Sequence, residues 1–351
     1  MNIPQANDWL LPWPALRALP GIASVHCGPL SPLGRLAAPA GPADAGGLSS
    51  WLQAVDATGR KACDAVLDPA SPLALWMRDR DGERSLQLLW PDPGSLEGWA
   101  VQADAEGLRL RGPATLAAVE LELRDRLALQ LLPESAPLRV RLDARQCWAL
   151  LALLDALGTR AALRQVTRED AEVHNVAMQE VAGAWQSARA QPKPGWAVGL
   201  AMAFAPAEVP GDFPAAIAPA LDALVAAGWL VEGETPAGPV RGPGLLLAPL
   251  AYGVASASTL FALALNERLG PARVESLVLI GFRLVDAIAC FDLSALAQDR
   301  ADLLLLGASS ASDCIGALFA AGSGTAPRCP HCGADIGPQA RFCGSCGQPL
   351  P

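Results

Sequence analysis

Apolar and polar positions alternate in two paired stretches early in the chain. Pro72 to Trp90 reads LALWMRD, then Arg80-Asp81-Gly82, then SLQLLW. Asp-Gly between two apolar runs predicts a β-hairpin. Trp99 to Arg111 repeats the pattern as WAVQAD and LRLRG about Glu106-Gly107 and predicts a second hairpin. Helical spacing flanks these strands. Leu48 to Leu67 predicts a helix with Trp51, Leu52, Val55 and Ala62 among its apolar positions. Pro113 suits a first helical position and predicts a helix to about Leu129. Leu138 to Leu142 then reads as a short strand. Asp143 is placed to cap a helix through Leu157, with Gly158 as its stop. A further helix is expected over Arg168 to Arg189, capped by Thr167, with Val173, Val176, Ala177, Val181, Ala184 and Trp185 as one stripe.

The second half partly repeats this order. Phe213 to Gly228 predicts a helix and Trp229 to Glu232 a strand. Thr259 to Asn266 and Val274 to Asp286 form a hairpin across Arg268 to Pro271. Ala301 to Leu306 is a strand and Ser309 to Ala320 a helix. The expected class is α+β, with two similar halves of helix, antiparallel strands and helix, the outcome a duplication would give. Gln191-Pro-Lys-Pro-Gly195 marks a linker between the halves, and Ala320 to Pro327 a small-residue tether. The expected units are residues 1–190, 191–322 and 328–351. Within the second, 213–248 could be a winged helix with a wing at Gly233 to Gly244. Its would-be recognition helix, Ala215 to Ala227, carries Asp222 and no basic residue, which suits protein contact better than DNA.

Composition sharpens this picture. With 52% apolar and 17% charged residues over 351 positions, the chain can bury a sizeable core. Of its 26 basic residues only Lys61 and Lys193 are lysines. This looks like the bias of a GC-rich genome, so abundant Ala, Gly, Pro and Arg carry little functional meaning. A net charge of −9 repels phosphate backbones, so nucleic acid is a disfavoured partner. The N-terminus lacks the basic start of a signal peptide and carries Asp8, Pro12 and Pro14, so a cytoplasmic location is expected. Gly242 to Asn266 is uncharged for 25 residues, but Pro243, Pro249 and Gly253 break it, and no membrane span is expected.

The chemistry-bearing motif lies at the C-terminus: Cys329-Pro-His-Cys332-Gly, nine further residues, then Cys343-Gly-Ser-Cys346-Gly. Two CxxC knuckles can supply four thiolates to one Zn2+ ion, closing a tetrahedron with no open position for water. Such a site is structural. Gly333 and Gly347 let backbone amides approach the sulfurs, and Ile336 and Phe342 can form a small apolar centre. His331 lies between two ligands and would ligate only if a cysteine were displaced. This segment, Cys329 to Leu350, resembles the bacterial zinc-ribbon family written CPxCG…FCxxCG. The order of the body resembles the cytosolic chaperones of ESX (type VII) secretion, through the Leu73 to Trp90 and Trp99 to Arg111 hairpins, the Pro113 helix ending in Leu131-Leu132-Pro133, and the Thr259 to Ala320 region. That resemblance implies a quasi-two-fold α+β body that holds a secretion substrate.

No P-loop is possible, since neither lysine is followed by Ser or Thr, and no GxGxxG, GxSxG or HExxH occurs. His26 beside Cys27 and His174 beside an apolar stripe read as packing or boundary residues. Cys27, Cys63, Cys147, Cys290 and Cys314 read as small buried hydrophobes. Asp79, Asp81 and Asp92 are the carboxylates that an unfamiliar enzyme could use. Among ten tryptophans, Trp9, Trp13 and Trp196 lie in or beside proline-rich loops and could anchor a partner. The expected function is that of a non-enzymatic adaptor or chaperone binding a protein partner. Its ribbon would be a second contact module, and no small-molecule ligand is expected. The alternative is a nucleic-acid-associated regulator using the ribbon and the winged segment.

Overall fold

The computed structural model describes residues 7–18, 42–67, 71–79, 82–90, 97–103, 106–167, 175–191, 196–205, 209–235, 238–245, 247–250, 259–268 and 274–322. The chain is α+β, and it runs through one order of elements twice. The first pass is an edge strand β1 (Asn7–Pro12), helices α1 (Trp13–Arg17), α2 (Ala45–Ala54) and α3 (Ala57–Leu67), a meander β2 (Ser71–Asp79), β3 (Gly82–Trp90), β4 (Glu97–Ala103), β5 (Gly107–Thr115), and helix α4 (Leu116–Arg126). The second opens with edge strand β6 (Leu138–Leu142). A longer insert follows: α5 (Ala144–Thr167), β7 (Val176–Ala177), α6 (Met178–Ala190), α7 (Ala197–Phe204), α8 (Phe213–Ala216), α9 (Ala218–Ala226), β8 (Leu230–Thr235) and β9 (Gly238–Pro243). The second meander, β10 (Thr259–Arg268), β11 (Val274–Arg283), β12 (Ile288–Asp292) and β13 (Ala301–Leu306), leads to helix α10 (Ala308–Gly322).

Both meanders lie in one ten-stranded antiparallel sheet of order β1-β5-β4-β3-β2-β10-β11-β12-β13-β6. The first strands of the two meanders pair at its centre, with Leu263 opposite Leu75. The order of elements therefore mirrors about β2 and β10, as a pseudo-two-fold arrangement would.

Period-2 alternation along each strand sends side chains to opposite faces. On one face, Leu73, Leu75 and Met77 of β2 join Phe261, Leu263 and Leu265 of β10. They are covered by Val119 and Leu123 of α4 and by Ile315 and Phe319 of α10. The other face carries Trp76, Leu260, Ala262 and Ile280 under the α5–α9 insert. Further along it, Leu89, Trp99, Leu108 and Leu110 lie under α1–α3. The result is a three-layer body. Each fully buried Leu, Val or Phe stabilises it by about 1.5–3 kcal/mol relative to exposure.

The structure corrects several expected boundaries. The helix expected over Leu48 to Leu67 is two helices. Asp44 caps the first, accepting from Gly47 N at 2.8 Å, and Asp56 caps the second, accepting from Gly59 N at 2.8 Å. A side chain that satisfies the orphan amides of a new helix start interrupts the old one. Pro113 does not begin α4. It follows a cis peptide bond inside β5, whose pairing with β4 continues through Ala114 and Thr115. Thr115 then caps the helix through Ala118 N at 3.2 Å.

Asp143 behaves as expected: it accepts from Gln146 N at 2.7 Å, while Gln146 returns a bond to Asp143 N at 3.0 Å. Gly158, however, does not stop α5, which runs on to Thr167. Cys147 through Leu154 are all buried, so α5 is packed nearly all round, and tertiary contact outweighs the helix-breaking tendency of one glycine. Of the helix expected over Arg168 to Arg189, residues 168–174 lie outside the described residues, and the described part is helical from Met178 as α6. Val176 and Ala177, expected within that helix, form β7 instead, while strands β1 and β12 and helices α1 and α7 had no sequence expectation.

The 213–248 segment forms α8, α9, β8 and β9, and β7 adds to the hairpin in a three-stranded sheet of order β7-β9-β8. No helix among the described residues is long and apolar enough to cross a membrane.

Candidate functional groove

A large concavity on the described surface lies between α5 and α6. It encloses about 720 Å³ between Asp155, Ala156, Thr159, Arg160 and Leu163 on α5 and Glu180, Gly183, Ala184, Ser187, Ala188, Ala190 and Gln191 around α6, with Trp196 at one end. The two helices are locked at their buried side by Trp148 and Trp185, whose rings meet edge to face at 5.9 Å. Above that contact, α6 presents small residues, and the space they leave is the groove. Its rim is mixed: Leu163, 60% exposed, and Trp196, 36% exposed, stand beside the polar Thr159, Glu180 and Gln191.

Beside this rim lies a buried acid. Asp155 is 6% exposed and lies on the otherwise apolar inner stretch of α5. Its carboxylate accepts from Ala197 N at 2.8 Å and from Val198 N at 2.9 Å, the first amides of α7. Asp155 therefore acts as the cap that Trp196, at the capping position of α7, does not supply. Burial pushes its pKa up to about 7. The two amide bonds and the charge of Arg78 oppose that rise. At the groove mouth, Arg160 donates to Asn175 O at 2.8 Å and pairs with Glu180 at 3.2 Å. Glu180 also accepts from Ala177 N at 2.6 Å, which ties the start of α6. That ion pair is partly exposed and contributes little stability.

Of the three tryptophans expected to anchor a partner, only Trp196 borders the groove. Trp13 is buried, and Trp9 packs with it against α1–α3. Trp196 was legible as an aromatic beside a proline-rich linker. Asp155 was not, because an acid inside WALLALLDAL reads as one polar point on a helix until another chain segment brings its amides up to it.

The remaining expected residues fall as follows. The ligand set Cys329, Cys332, Cys343 and Cys346, together with His331, His26, Cys27, His174, Asp81 and Asp92, lies outside the described residues. Asp79 pairs with Arg126 at 3.0 Å, and Arg126 also binds Glu122 at 2.6 Å, so this carboxylate serves the β2–α4 junction. Cys63, Cys147 and Cys290 are buried, and Cys314 is half-buried. Burial raises all four thiol pKa values, to about 11 for Cys63 and Cys314, which makes them poor nucleophiles. Among the described residues no group of three or more His, Cys, Asp or Glu is placed to hold a metal. In the winged segment, Asp222 of α9 binds Arg241 at 2.9 Å, and Glu232 binds the same guanidinium. The basic residue of the wing is thus occupied by acids, and α9 offers nothing to a phosphate.

No curated protein matches the chain by sequence. A family profile described as a domain of unknown function, DUF7577, matches residues 325–351, the segment that holds the four C-terminal cysteines. Among solved structures, the Mycobacterium tuberculosis type VII secretion system chaperone EspG5, in complex with PE25-PPE41 dimer, is similar over 91% of this chain and 95% of that one. Sequence identity is 9% and the TM-score 0.38, a likeness too slight to carry a functional argument.

Proposed function

We propose that this protein is a non-enzymatic adaptor or chaperone whose body holds a segment of a protein partner in the α5–α6 groove. The observation that carries the reading is the groove itself: about 720 Å³, floored by small residues, with Leu163 and Trp196 exposed on its rim. Apolar side chains at a rim, with small residues beneath, suit close approach by a partner chain, and aromatic residues are frequent binding anchors. The C-terminal segment adds a second contact module. Cys329, Cys332, Cys343 and Cys346 fit one structural Zn2+ by ligand type and spacing, and the short tether raises the effective concentration of one contact once the other is made.

The test is affinity capture from the native cytosol, comparing the full chain, a chain ending at Pro327, and the full chain carrying Leu163→Glu. A stoichiometric protein retained by the first two and lost with Leu163→Glu is expected. A partner indifferent to Leu163 would remove the groove from the reading. A partner lost with residues 328–351 would make the ribbon the main recognition element.

A further inference from the structure

Resting on that reading of the groove, we propose that the partner segment anchors itself with a cationic side chain, a lysine or arginine, inserted beside Trp196 toward the Asp155 carboxylate. Three features converge on this chemistry. The first is a buried acid with no salt bridge among the described residues, on which Arg78 acts only through space. An ionised carboxylate removed from water is costly unless it is paired and hydrogen-bonded. Asp155 has two amide partners, yet among the described residues no cation forms an ion pair with it. A carboxylate can accept about four hydrogen bonds, so its capacity is half used. The second feature is the aromatic neighbour. Trp196 borders the same groove, and the amide of the next residue, Ala197, is bonded to Asp155. An indole face is the best aromatic surface for a cation. The third is the sign of the lining. Its charged side chains are Asp155, Glu180 and Arg160, and Arg160 is already committed to Glu180 and to Asn175 O. With Asp155 ionised, the lining is left one negative charge in excess.

The groups facing Asp155 fix the expected pH dependence. Arg78 of β2 and the amides of α7 favour the ionised form, and burial opposes it, leaving a pKa of about 7. Arg160 and Glu180 are the other charges on the lining and largely cancel. A cation gains most from the ionised carboxylate, so binding should strengthen as pH rises from 6 to 8.

The experiment uses the full chain and two probes of equal length, hexylammonium and 1-hexanol, in calorimetric titrations at pH 6 and pH 8. Hexylammonium is expected to bind at least about tenfold more tightly than hexanol at pH 8, with a smaller preference at pH 6. Trp196→Leu leaves both amide bonds to Asp155 intact and should weaken the ammonium about 2- to 30-fold. Asp155→Asn, with unchanged circular dichroism, should abolish the preference. Equal binding of the two probes, a preference that survives Asp155→Asn, or no binding of either would overturn the cationic anchor. In each of those cases a captured protein still lost with Leu163→Glu keeps the groove reading. Conversely, the expected ammonium preference with capture indifferent to Leu163 would leave the cation site standing and remove the protein segment.

Discussion

Three residues show how single side chains set the body's behaviour. Asp155 keeps its proton in the folded chain up to about pH 7, whereas an unfolded carboxylate loses it near pH 3.9. Between those values the folded state binds more protons than the unfolded one, so this residue's contribution to stability falls as pH rises. The stability of the native chain relative to Asp155→Asn should therefore decline from about pH 4 to about pH 7.5 in chemical denaturation; a constant difference would contradict the assignment. Asp302 has the opposite sign. Arg139 binds it at 2.9 and 2.6 Å and lowers its pKa, so its contribution is lost as pH falls below the ordinary carboxylate range. Gly281 acts by size alone. A Cβ there would lie 2.1 Å from the Phe261 ring across the β10–β11 ladder. Gly281→Ala should destabilise by about 1–3 kcal/mol, as overpacking does, and Phe261→Leu should recover part of the loss in thermal unfolding.

At the scale of elements, the hairpins were legible and the helix ends were not. Alternation plus an Asp-Gly turn placed β2 and β3 closely, and Gly82, with φ of +115°, supplies the turn conformation that other residues resist. Helix limits depended on competition between local and distant bonds. Asp56 carries no sign in the sequence that it starts a helix, because it lies inside a stretch with helical spacing. Its removal tests the point: Asp56→Ala should cost about 1 kcal/mol, and hydrogen exchange should rise at the α3 N-terminus while α2 is unchanged. Pro113 misled for a similar reason. Proline suits a first helical turn and equally suits the end of a strand whose neighbour needs no N–H from it. Gly158 was overruled by packing on α5, where Leu150, Leu151, Leu153, Leu154 and Leu157 are fully buried.

Across the whole molecule, the mirrored order β1-β5-β4-β3-β2 and β10-β11-β12-β13-β6 joins the strands of both halves in one sheet. Covering its two faces with different helices leaves the long insert of the second pass, α5 to β9, as the place where a groove can open. On the proposed zinc reading, the C-terminal segment would be held by its metal rather than by an apolar core. Some twenty residues cannot bury enough apolar surface to fold alone, and Zn2+ should supply roughly 10–16 kcal/mol. Cys343→Ser should release the metal, one ion per chain by elemental analysis, and unfold residues 328–351. The helical circular dichroism of the body should not change, and its loss would show that the two are one folding unit.

By itself the sequence determined the α+β class, the two hairpin regions and the spacing of the four C-terminal cysteines. Each of these follows from local periodicity or from the fixed reach of a short chain between ligands. Tertiary structure alone decided that β2 and β10 join the halves, that α5 passes through Gly158, and that Asp155 of α5 meets the amides of Ala197 and Val198. The carboxylate and those amides are more than forty positions apart along the chain. Only burial of the apolar surfaces around them, which no local pattern encodes, brings them together beneath the rim formed by Trp196 and Leu163.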